Sequence, residues 1–288
     1  MTNINKENKV NPKDLLTHNR LDIAFKYVYL KFKKCIPKFS KELYKHHIYA
    51  ITNGLYREGN TTKDSFQKFV SSFDKTFKSI KENGFDPKIS TIPITANNTI
   101  TNGSHRLASA IYLDKNVPIS TIDEKDSNYN YKFFLERGID LDVLEFTVLN
   151  YLLLKENIYL ALIWPSATKK VEYISNFKKI IYQKSFKLNP KGAHNLLAQI
   201  YKEQNWIGSF ETGYGGTYLK LNQAFKSFSP VNAIFFHESS IENVTKIKKQ
   251  IREKFQIGKA SIHITDNKNQ TIELAKYILN KNSLHFLN

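Results

Sequence analysis

The stretch "TITNGSHRLASAIYLDKNVPIS", residues 99–120, decides the fold because a strand pattern gives way to a helix pattern within it. The polar cluster Ser104-His105-Arg106 interrupts an otherwise apolar passage at that point. Gly103 permits a tight turn after the strand, and Ser104 is suited to cap a helix that begins at His105. The pattern predicts a strand, a turn, a helix and then a further strand at "VPISTI".

The turn inside this stretch has the chemistry of a phosphate site. The first N–H groups of the helix and the positive end of its dipole face outward from the turn. His105 and Arg106 place further hydrogen-bond donors beside them, and an arginine can clamp a phosphate with two bonds. The alternative is an ordinary capped helix whose histidine and arginine point into solvent. Such a short motif does not decide between the two.

The N-terminal half reads as helices that lead into short strands. Apolar spacing predicts three helices before the first clear strand, with Ser40 as the N-cap of the second and Gly84 as the stop of the third. "STIPIT" and "NTIT" read as two strands around the turn Asn97-Asn98. The predicted helices of this half cover residues 14–34, 40–52, 64–83, 105–114, 131–138 and 142–157.

The C-terminal part alternates strands with helices. Helices are predicted at 169–183, 190–202, 241–255 and 270–279, and strands at "VNAIFFH", "ASIHIT" and "SLHFL". "NWIGSFETGYGGTYLK" reads as a glycine-rich loop, and "IYLALIW" as either a buried strand or a continued helix. The order βαβαβ is typical of a partly parallel sheet with covering helices. The sequence therefore predicts an α/β protein with a flexible N-terminus (1–13), an N-terminal region (14–163) and a C-terminal α/β domain (164–288).

The composition excludes several classes of protein but does not identify a binding partner. Of 288 residues, 41% are apolar, which suffices for a core, and the single cysteine excludes an intramolecular disulfide and a multi-cysteine zinc site. Neither a signal peptide nor a membrane span is expected, and a cytoplasmic location is predicted. The formal charge of +17 suggests a polyanionic partner such as nucleic acid. The basic residues are spread along the whole chain, so general composition explains the charge about equally well.

Residues 60–123 resemble the ParB/sulfiredoxin superfamily. The resemblance rests on a helix ending "SIKENG", a strand, the turn "NGSHR", the helix "LASAIYLDK" and "VP" opening the next strand. It implies a small mixed sheet with nucleotide phosphate held at the turn. Sulfiredoxins carry a catalytic cysteine where this chain has Ser104. The partitioning proteins carry Glu-Arg-Arg at the turn and a following helix-turn-helix, and this chain shows neither.

The resemblance then favours the free-serine kinases of that superfamily. It implies ATP or ADP together with Mg²⁺, and nucleotide contacts from Asn102, Gly103, Ser104, His105, Arg106 and Lys63. His105 and Arg106 would stabilise the phosphoryl charge, and Glu58 lies near the place where those kinases carry their essential acid. The alternative for Glu58 is a solvated loop residue. The predicted activity is an ATP-dependent kinase acting on a small hydroxyl-bearing metabolite.

The C-terminal half offers further candidates. His237, His263 and Asp266 follow or end strands, and open α/β sheets place their ligands at strand ends. Asp266 can equally be an N-cap. The whole chain is weakly similar to proteins of bacterial surface-polysaccharide gene clusters, which would favour a sugar or polyol acceptor. Two alternatives stay open: a ParB-like DNA-binding protein or nuclease, and a nucleotide-binding regulatory module without catalysis.

Overall fold

The computed structural model describes residues 9–59, 62–87, 90–167 and 171–283 of the chain. The chain divides into two compact units, residues 1–155 and 156–288. Both combine helices with a small sheet, so the predicted α/β class is confirmed. Among the described residues, no helix has the length and apolar character that crossing a membrane requires.

The N-terminal unit contains helices and a three-stranded mixed sheet. The strands are β1 (Lys9–Val10), β2 (Ile92–Ile94) and β3 (Val117–Thr121). The helices are α1 (Asp22–Phe32), α2 (Pro37–Ile51), α3 (Phe66–Asn83), α4 (Ser104–Leu113), α5 (Tyr131–Glu136) and α6 (Leu141–Leu154). The sheet order is β1-β3-β2, with β2 parallel and β1 antiparallel to β3. Helix α4 therefore lies in the crossover between two parallel strands. The helix and the strand at "VPISTI" were predicted, but the strand predicted at "NTIT" is only an isolated bridge between Ile94 and Ile100.

Helix α1 lies at the centre of this unit. It packs against α2, α4 and α6, and its Ile23 and Phe25 are fully buried. An aromatic cluster fills the space beside it, with ring centroids 4.8 Å apart for Tyr29 and Tyr44 and 5.5 Å apart for Tyr29 and Phe73. Burial of such large apolar side chains is the main stabilising contribution to a fold of this size.

Three expectations for the N-terminal unit are corrected. The helix predicted over 14–34 begins at Asp22, because the preceding residues form a short 3₁₀ helix (Pro12–Leu15) and Leu21 N–H donates to the carbonyl of Tyr129. Ser40 is not an N-cap: it is buried inside α2 and donates to the carbonyl of Pro37, which is the first helical residue. Residues 9–10 of the segment expected to be flexible form β1, and residues 1–8 lie outside the described part.

In its described residues, the C-terminal unit contains a four-stranded sheet and four α-helices. The strands are β4 (Ile158–Ile163), β5 (Ile180–Phe186), β6 (Val231–His237) and β7 (Ile262–Ile264). The helices are α7 (Pro190–Tyr201), α8 (Thr217–Ala224), α9 (Ile241–Phe255) and α10 (Lys268–Ile278). The sheet order is β5-β6-β4-β7, and every pairing among these strands is antiparallel. All six residues of β4 are buried.

The prediction of a partly parallel sheet was wrong for this unit. Strands β6 and β7 do run in the same direction across α9, but β4 lies between them and runs the opposite way. The helix expected at 169–183 was also wrong, because residues 180–186 pair with β6 as β5. The boundary differs as well: β4 is a central strand of the second sheet, so the C-terminal unit begins at Glu156 rather than at residue 164.

Two smaller expectations for the C-terminal unit also change. The glycine-rich stretch is a loop only in part, because it holds a short 3₁₀ helix (Asn205–Ile207) and the start of α8 at Thr217. "SLHFL" was expected to form a last strand, and its residues 284–287 lie outside the described part of the chain.

Candidate functional site

Several separate segments of the N-terminal unit meet in one cleft of about 320 Å³. Glu58, Lys63 and the turn Asn102–Arg106, all of them predicted site residues, line it. The cleft is also lined by four titratable residues of the α1 and α2 region that the sequence analysis did not select: Arg20, Asp22, Lys26 and His47. The structure therefore brings the predicted residues together and adds a charged wall behind them.

The turn before α4 is built on Gly103. Its φ of +86° lies in the left-handed region, where a side chain is disfavoured, and its N–H donates to Asn102 Oδ1 over 2.6 Å. Ser104 was expected to be the N-cap, but it is the first helical residue and Gly103 occupies the cap position without a side-chain bond. The first N–H groups of a helix have no acceptor within it, so those of Ser104 to Arg106 are available to an anion.

Arg106 connects this turn to the start of β2. Its Nη1 donates to the Ser90 hydroxyl and, over 2.9 Å, to the carbonyl of Thr91. The guanidinium lies so close to Gly103 that a Cβ there would be 2.8 Å from Nη2. Among the described residues, no acceptor binds Nε or Nη2. Burial lowers the pKa of Arg106, yet an arginine remains charged at neutral pH. Nη1 of Arg106 thus holds the turn against β2, and its Nε and Nη2 can donate hydrogen bonds to a ligand.

His105 is neutral at pH 7. Its Nε2 lies 2.8 Å from the Tyr44 hydroxyl, and its ring stacks on Phe73 with centroids 4.4 Å apart. Burial, together with the nearby charges of Lys26 and Lys63, holds its pKa well below 6.5. The residue was expected to stabilise phosphoryl charge; in this environment it can offer a hydrogen bond, but not a positive charge.

A buried charge cluster forms the back wall of the cleft. Arg20 binds Asp22 through two bonds of 2.8 and 2.9 Å, and Lys26 Nζ lies 2.9 Å from the same carboxylate. Arg20 also donates to the carbonyl of Ile100 in the strand-like segment before the turn. Burial opposes the charge on Asp22, but Arg20 and Lys26 outweigh it and hold the pKa of the carboxyl well below its usual range. Two cations against one carboxylate leave this wall positive.

His47 is the unusual member of the lining. It is fully buried, and neither ring nitrogen has a hydrogen-bond partner among the described residues. Its ring stacks on Phe25 with centroids 5.0 Å apart. Burial, with the charge of Lys26, holds its pKa well below 6.5. A buried polar group without a partner destabilises a fold, so His47 is a candidate contact for a ligand in the cleft.

Glu58 and Lys63 form an ion pair at the mouth of the cleft. Lys63 Nζ lies 2.6 Å from Glu58 Oε2, and Glu58 N–H donates to the carbonyl of Lys63. The Glu58 side chain is 50% exposed, so it is the carboxylate of this cleft that an entering ligand can reach. Asp22, the other one, is committed to Arg20 and Lys26.

The carboxylates do not form a metal site by themselves. Within the described ranges, no group of three or more histidine, cysteine, aspartate or glutamate side chains could hold a metal ion. Mg²⁺ usually takes one or two carboxylates and completes its shell with phosphate oxygens and water. Any Mg²⁺ in this cleft would therefore take most of its ligands from phosphate oxygens and water.

The charged wall is the part of the site that sequence reasoning missed. Charges on a helix normally face solvent, and Asp22 and Lys26 were not selected as site residues. Two signals were present: their spacing of four residues places them on one helix face, and the other positions of that helix are apolar or aromatic except for Lys31 near its end. A charged pair on a helix that is apolar on most of its faces indicates a buried pair.

The candidates of the C-terminal unit divide into two locations. His263 and Asp266 line a cleft of about 500 Å³ in that unit. His237 does not line this cleft. It pairs with Ile158 of β4, whereas His263 pairs with Leu162 of β4 from the opposite side. Strand β4 lies between the two histidines, and His263 lines the cleft whereas His237 does not.

Comparison with known proteins adds no assignment. No family model, no curated protein and no solved structure matches the chain. The resemblance of residues 60–123 to the ParB/sulfiredoxin superfamily stays an expectation from the sequence.

Proposed function

We propose that the protein is an ATP-dependent phosphotransferase whose N-terminal cleft holds the nucleotide phosphates. The observation that supports this most is the convergence of Glu58, Lys63 and the Asn102–Arg106 turn, which are distant in sequence, on one cationic cleft. Its volume falls within the roughly 300–1,000 Å³ of small-molecule sites. The acceptor is proposed to be a small hydroxyl-bearing metabolite, with a sugar or polyol precursor of surface polysaccharide as the first candidates.

Phosphate recognition in this proposal uses three kinds of donor. The N–H groups of Ser104 to Arg106 would bind phosphate oxygens at the positive end of α4. The free edge of Arg106 and the ammonium of Lys63 would add charged hydrogen bonds. The buried wall of Arg20 and Lys26 would contribute a positive potential without direct contact, because both cations are already bound to Asp22. Mg²⁺ would be carried by the phosphates and would neutralise the transferring group.

Glu58 is the proposed general base. In the transfer step the acceptor oxygen bonds to the γ-phosphorus while the bond from that phosphorus to the β–γ bridging oxygen breaks. The acceptor hydroxyl gives its proton to Glu58, and ADP leaves with the electron pair of the broken bond. Lys63, at 2.6 Å, would hold the Glu58 carboxylate in place between turnovers.

The proposal is tested by turnover with a matched pair of variants. We expect ADP release from ATP and Mg²⁺ in the presence of at least one acceptor from a panel of sugars, polyols and hydroxy amino acids. Glu58→Gln should lower kcat by about a hundredfold or more with little change in the Kd for ATP, because only the proton transfer is lost. Glu42→Gln is the control, since Glu42 is an exposed carboxylate on α2 with a lysine 3.9 Å away and does not line the cleft.

Other outcomes of this experiment have defined meanings. If Glu58→Gln turned over as fast as the parent chain, Glu58 would not be the base. Tight ATP binding without turnover on any acceptor would support the regulatory module instead. Salt-dependent binding of duplex or single-stranded DNA without ATP binding would support the DNA-binding alternative, because phosphate contacts release counterions.

A further inference from the structure

The C-terminal unit contains its own cationic cleft of about 500 Å³, formed by α7, α8, α9 and the end of β7. Four cations line it and one carboxylate, Asp266, accompanies them. Lys248 lies 3.2 Å from Asp266, and Asp266 is mostly exposed. Among the described residues, the other three cations of the lining, Lys220, Arg252 and Lys259, form no ion pair with a carboxylate, so the cleft carries an excess of positive charge.

Lys220 is buried among like charges. Only 8% of the residue is exposed, and its Nζ donates to the carbonyl of Lys259. No carboxylate among the described residues forms an ion pair with it. A buried ammonium without a counter-ion is costly, and neither the helix nor the sheet requires a lysine here. An anionic ligand would supply the missing charge.

Two buried polar atoms of this cleft also have no partner. His263 Nε2 and Arg252 Nε make no hydrogen bond within the described part of the chain. The other nitrogen of His263, Nδ1, lies 3.4 Å from the Tyr201 hydroxyl. We assign the donation to the tyrosine, which burial keeps protonated by raising its pKa to about 12. This assignment places the ring proton of His263 on Nε2, so both unpartnered atoms are donors.

An aromatic surface lies at the edge of the same cleft. Trp206 is half exposed, and its ring centroid lies 5.1 Å from that of Tyr201. Leu219, which is 69% exposed, lines the cleft as well. An exposed indole beside buried cations is the combination that binds the flat face of a ring next to an anionic group.

We propose that this cleft binds a phosphorylated, ring-bearing small molecule, such as a sugar phosphate or a nucleoside monophosphate. The phosphate would accept hydrogen bonds from Lys220, Arg252 and His263 Nε2, and the ring would pack on Trp206. Lys220 and His263 are each 8% exposed, so only a small terminal group that enters the cleft reaches them. The excess of three cations over carboxylates suits a dianionic phosphate better than a single carboxylate.

The proposed binding has a characteristic pH dependence. Burial, and then the charges of Arg252 and Lys259, lower the pKa of Lys220 to about 8. Affinity for the phosphate should fall as the pH rises through the value that Lys220 has in the complex, because the neutral amine no longer attracts the anion. The remaining titratable and charged groups that face this cleft are Lys248, His263, Asp266 and Tyr201.

The test measures binding of glucose 6-phosphate and adenosine 5′-monophosphate to the full chain by titration calorimetry, with inorganic phosphate and glucose as partial probes. At least one ester should bind, and glucose should not. Lys220→Met and Arg252→Gln should each weaken binding roughly tenfold or more, because each removes a charged hydrogen bond. Lys249→Gln is the control. Lys249 lies on α9, as Arg252 does, but it is exposed and paired with Glu253.

A second readout uses tryptophan fluorescence. The chain has two tryptophans, of which Trp164 is fully buried and Trp206 is half exposed, so acrylamide quenching reports mainly on Trp206. The bound ester should protect Trp206 from quenching. If a variant at Lys220 or Arg252 fails to fold, the exposed substitution Trp206→Ala serves instead and should weaken ester binding more than phosphate binding.

Clear results would overturn the proposal. It fails if neither ester binds, if Lys220→Met and Arg252→Gln bind as the parent chain does, or if single-stranded DNA binds more tightly than both esters and is lost in the same variants. Lys63→Gln, which alters the N-terminal cleft, should leave ester binding in this unit unchanged. Loss of binding in that variant would assign the ester to the other cleft and contradict the proposal.

Discussion

Gly103 is the most constrained residue of the N-terminal cleft. It combines a positive φ with the close approach of the Arg106 guanidinium. The conformation places the first N–H groups of α4 at the cleft, and the missing Cβ leaves room for the arginine that ties the turn to β2. A side chain at this position would disturb both features at once.

Substitution of Gly103 by alanine should therefore cost more than backbone strain alone. Gly138 provides the control, because its φ is +69° and a Cβ there would contact nothing within 4 Å. We expect Gly138→Ala to lower the free energy of unfolding by about 1 kcal/mol, and Gly103→Ala to lower it by about 1–3 kcal/mol more because the guanidinium must move. Urea denaturation followed by circular dichroism measures the free energy of unfolding of both variants. Equal decreases in the two variants would show that the Arg106 side chain moves aside without an energetic cost.

At the residue scale the sequence predicted the members of the cleft better than their roles. Glu58, Lys63 and the 102–106 turn were selected in advance and do line one cleft. The cap was assigned to Ser104 because serine is a favoured cap residue, although Gly103 takes the position. His47 was not selected, since nothing in a helical pattern tells a partnered buried histidine from an unpartnered one.

Strand β4 organises the C-terminal unit at the scale of elements. It is buried along its length and pairs on one side with β6 and on the other with β7. The sequence left open whether this segment was a strand or a continued helix, because short apolar runs look alike in both. The segment forms a strand because it pairs with β6 and β7, which are distant in sequence. A local sequence pattern does not show which distant segments will pair.

This arrangement predicts how fragments of the chain should behave. Residues 156–288 contain all four strands of the sheet and should fold on their own, with a cooperative thermal transition. Residues 164–288 lack β4, so β7 has no partner strand and the sheet core is open; that fragment should show no such transition. Circular dichroism of the two fragments is the measurement. A cooperative transition in the shorter fragment would contradict the central role of β4.

Strand β5 shows why the predicted helix at 169–183 was wrong. Val171, Ile174, Phe177 and Ile181 recur at three- and four-residue intervals, which is the spacing of an amphipathic helix. The first three residues after Lys179, Ile180 to Tyr182, are β-branched or aromatic, and the strand that they begin pairs with β6. Tertiary pairing outweighed the local pattern here, as it often does for strands.

For the whole molecule, total charge was the least informative quantity. The formal charge of +17 suggested a polyanion, but composition does not say where the cations lie. The structure places four cations in each of two clefts, one in the N-terminal unit and one in the C-terminal unit. Both locations depend on contacts between distant segments, so no linear pattern of lysine and arginine indicates them.

The buried histidines predict acid sensitivity of the whole molecule. Burial lowers the pKa of His47, His105 and His263, the last to about 3. Below about pH 6.5 the unfolded chain binds protons that these native histidines do not. Each histidine should therefore reduce the free energy of unfolding by about 1.4 kcal/mol per pH unit as the pH falls. The effect is absent above that pH.

Urea titrations from about pH 7 down to about pH 5 measure this dependence. The N-terminal unit holds two of the three histidines and should lose stability more steeply than the C-terminal unit. His47→Phe removes one titrating group from an aromatic environment and should reduce the slope of the N-terminal transition by one proton. An unchanged slope in this variant would mean that His47 is protonated or hydrated in the native state.

The central claim, that the N-terminal cleft binds nucleotide phosphates, is tested most directly by the Kd for ATP with Mg²⁺ in a matched pair of lysine variants. Lys63 lines the cleft, whereas Lys68 is exposed, paired with Asp64 and outside it. We predict that calorimetry will find ATP binding to the parent chain, weakened about tenfold in Lys63→Gln and unchanged in Lys68→Gln. No binding by the parent chain, or equal Kd values in the two variants, would contradict the claim.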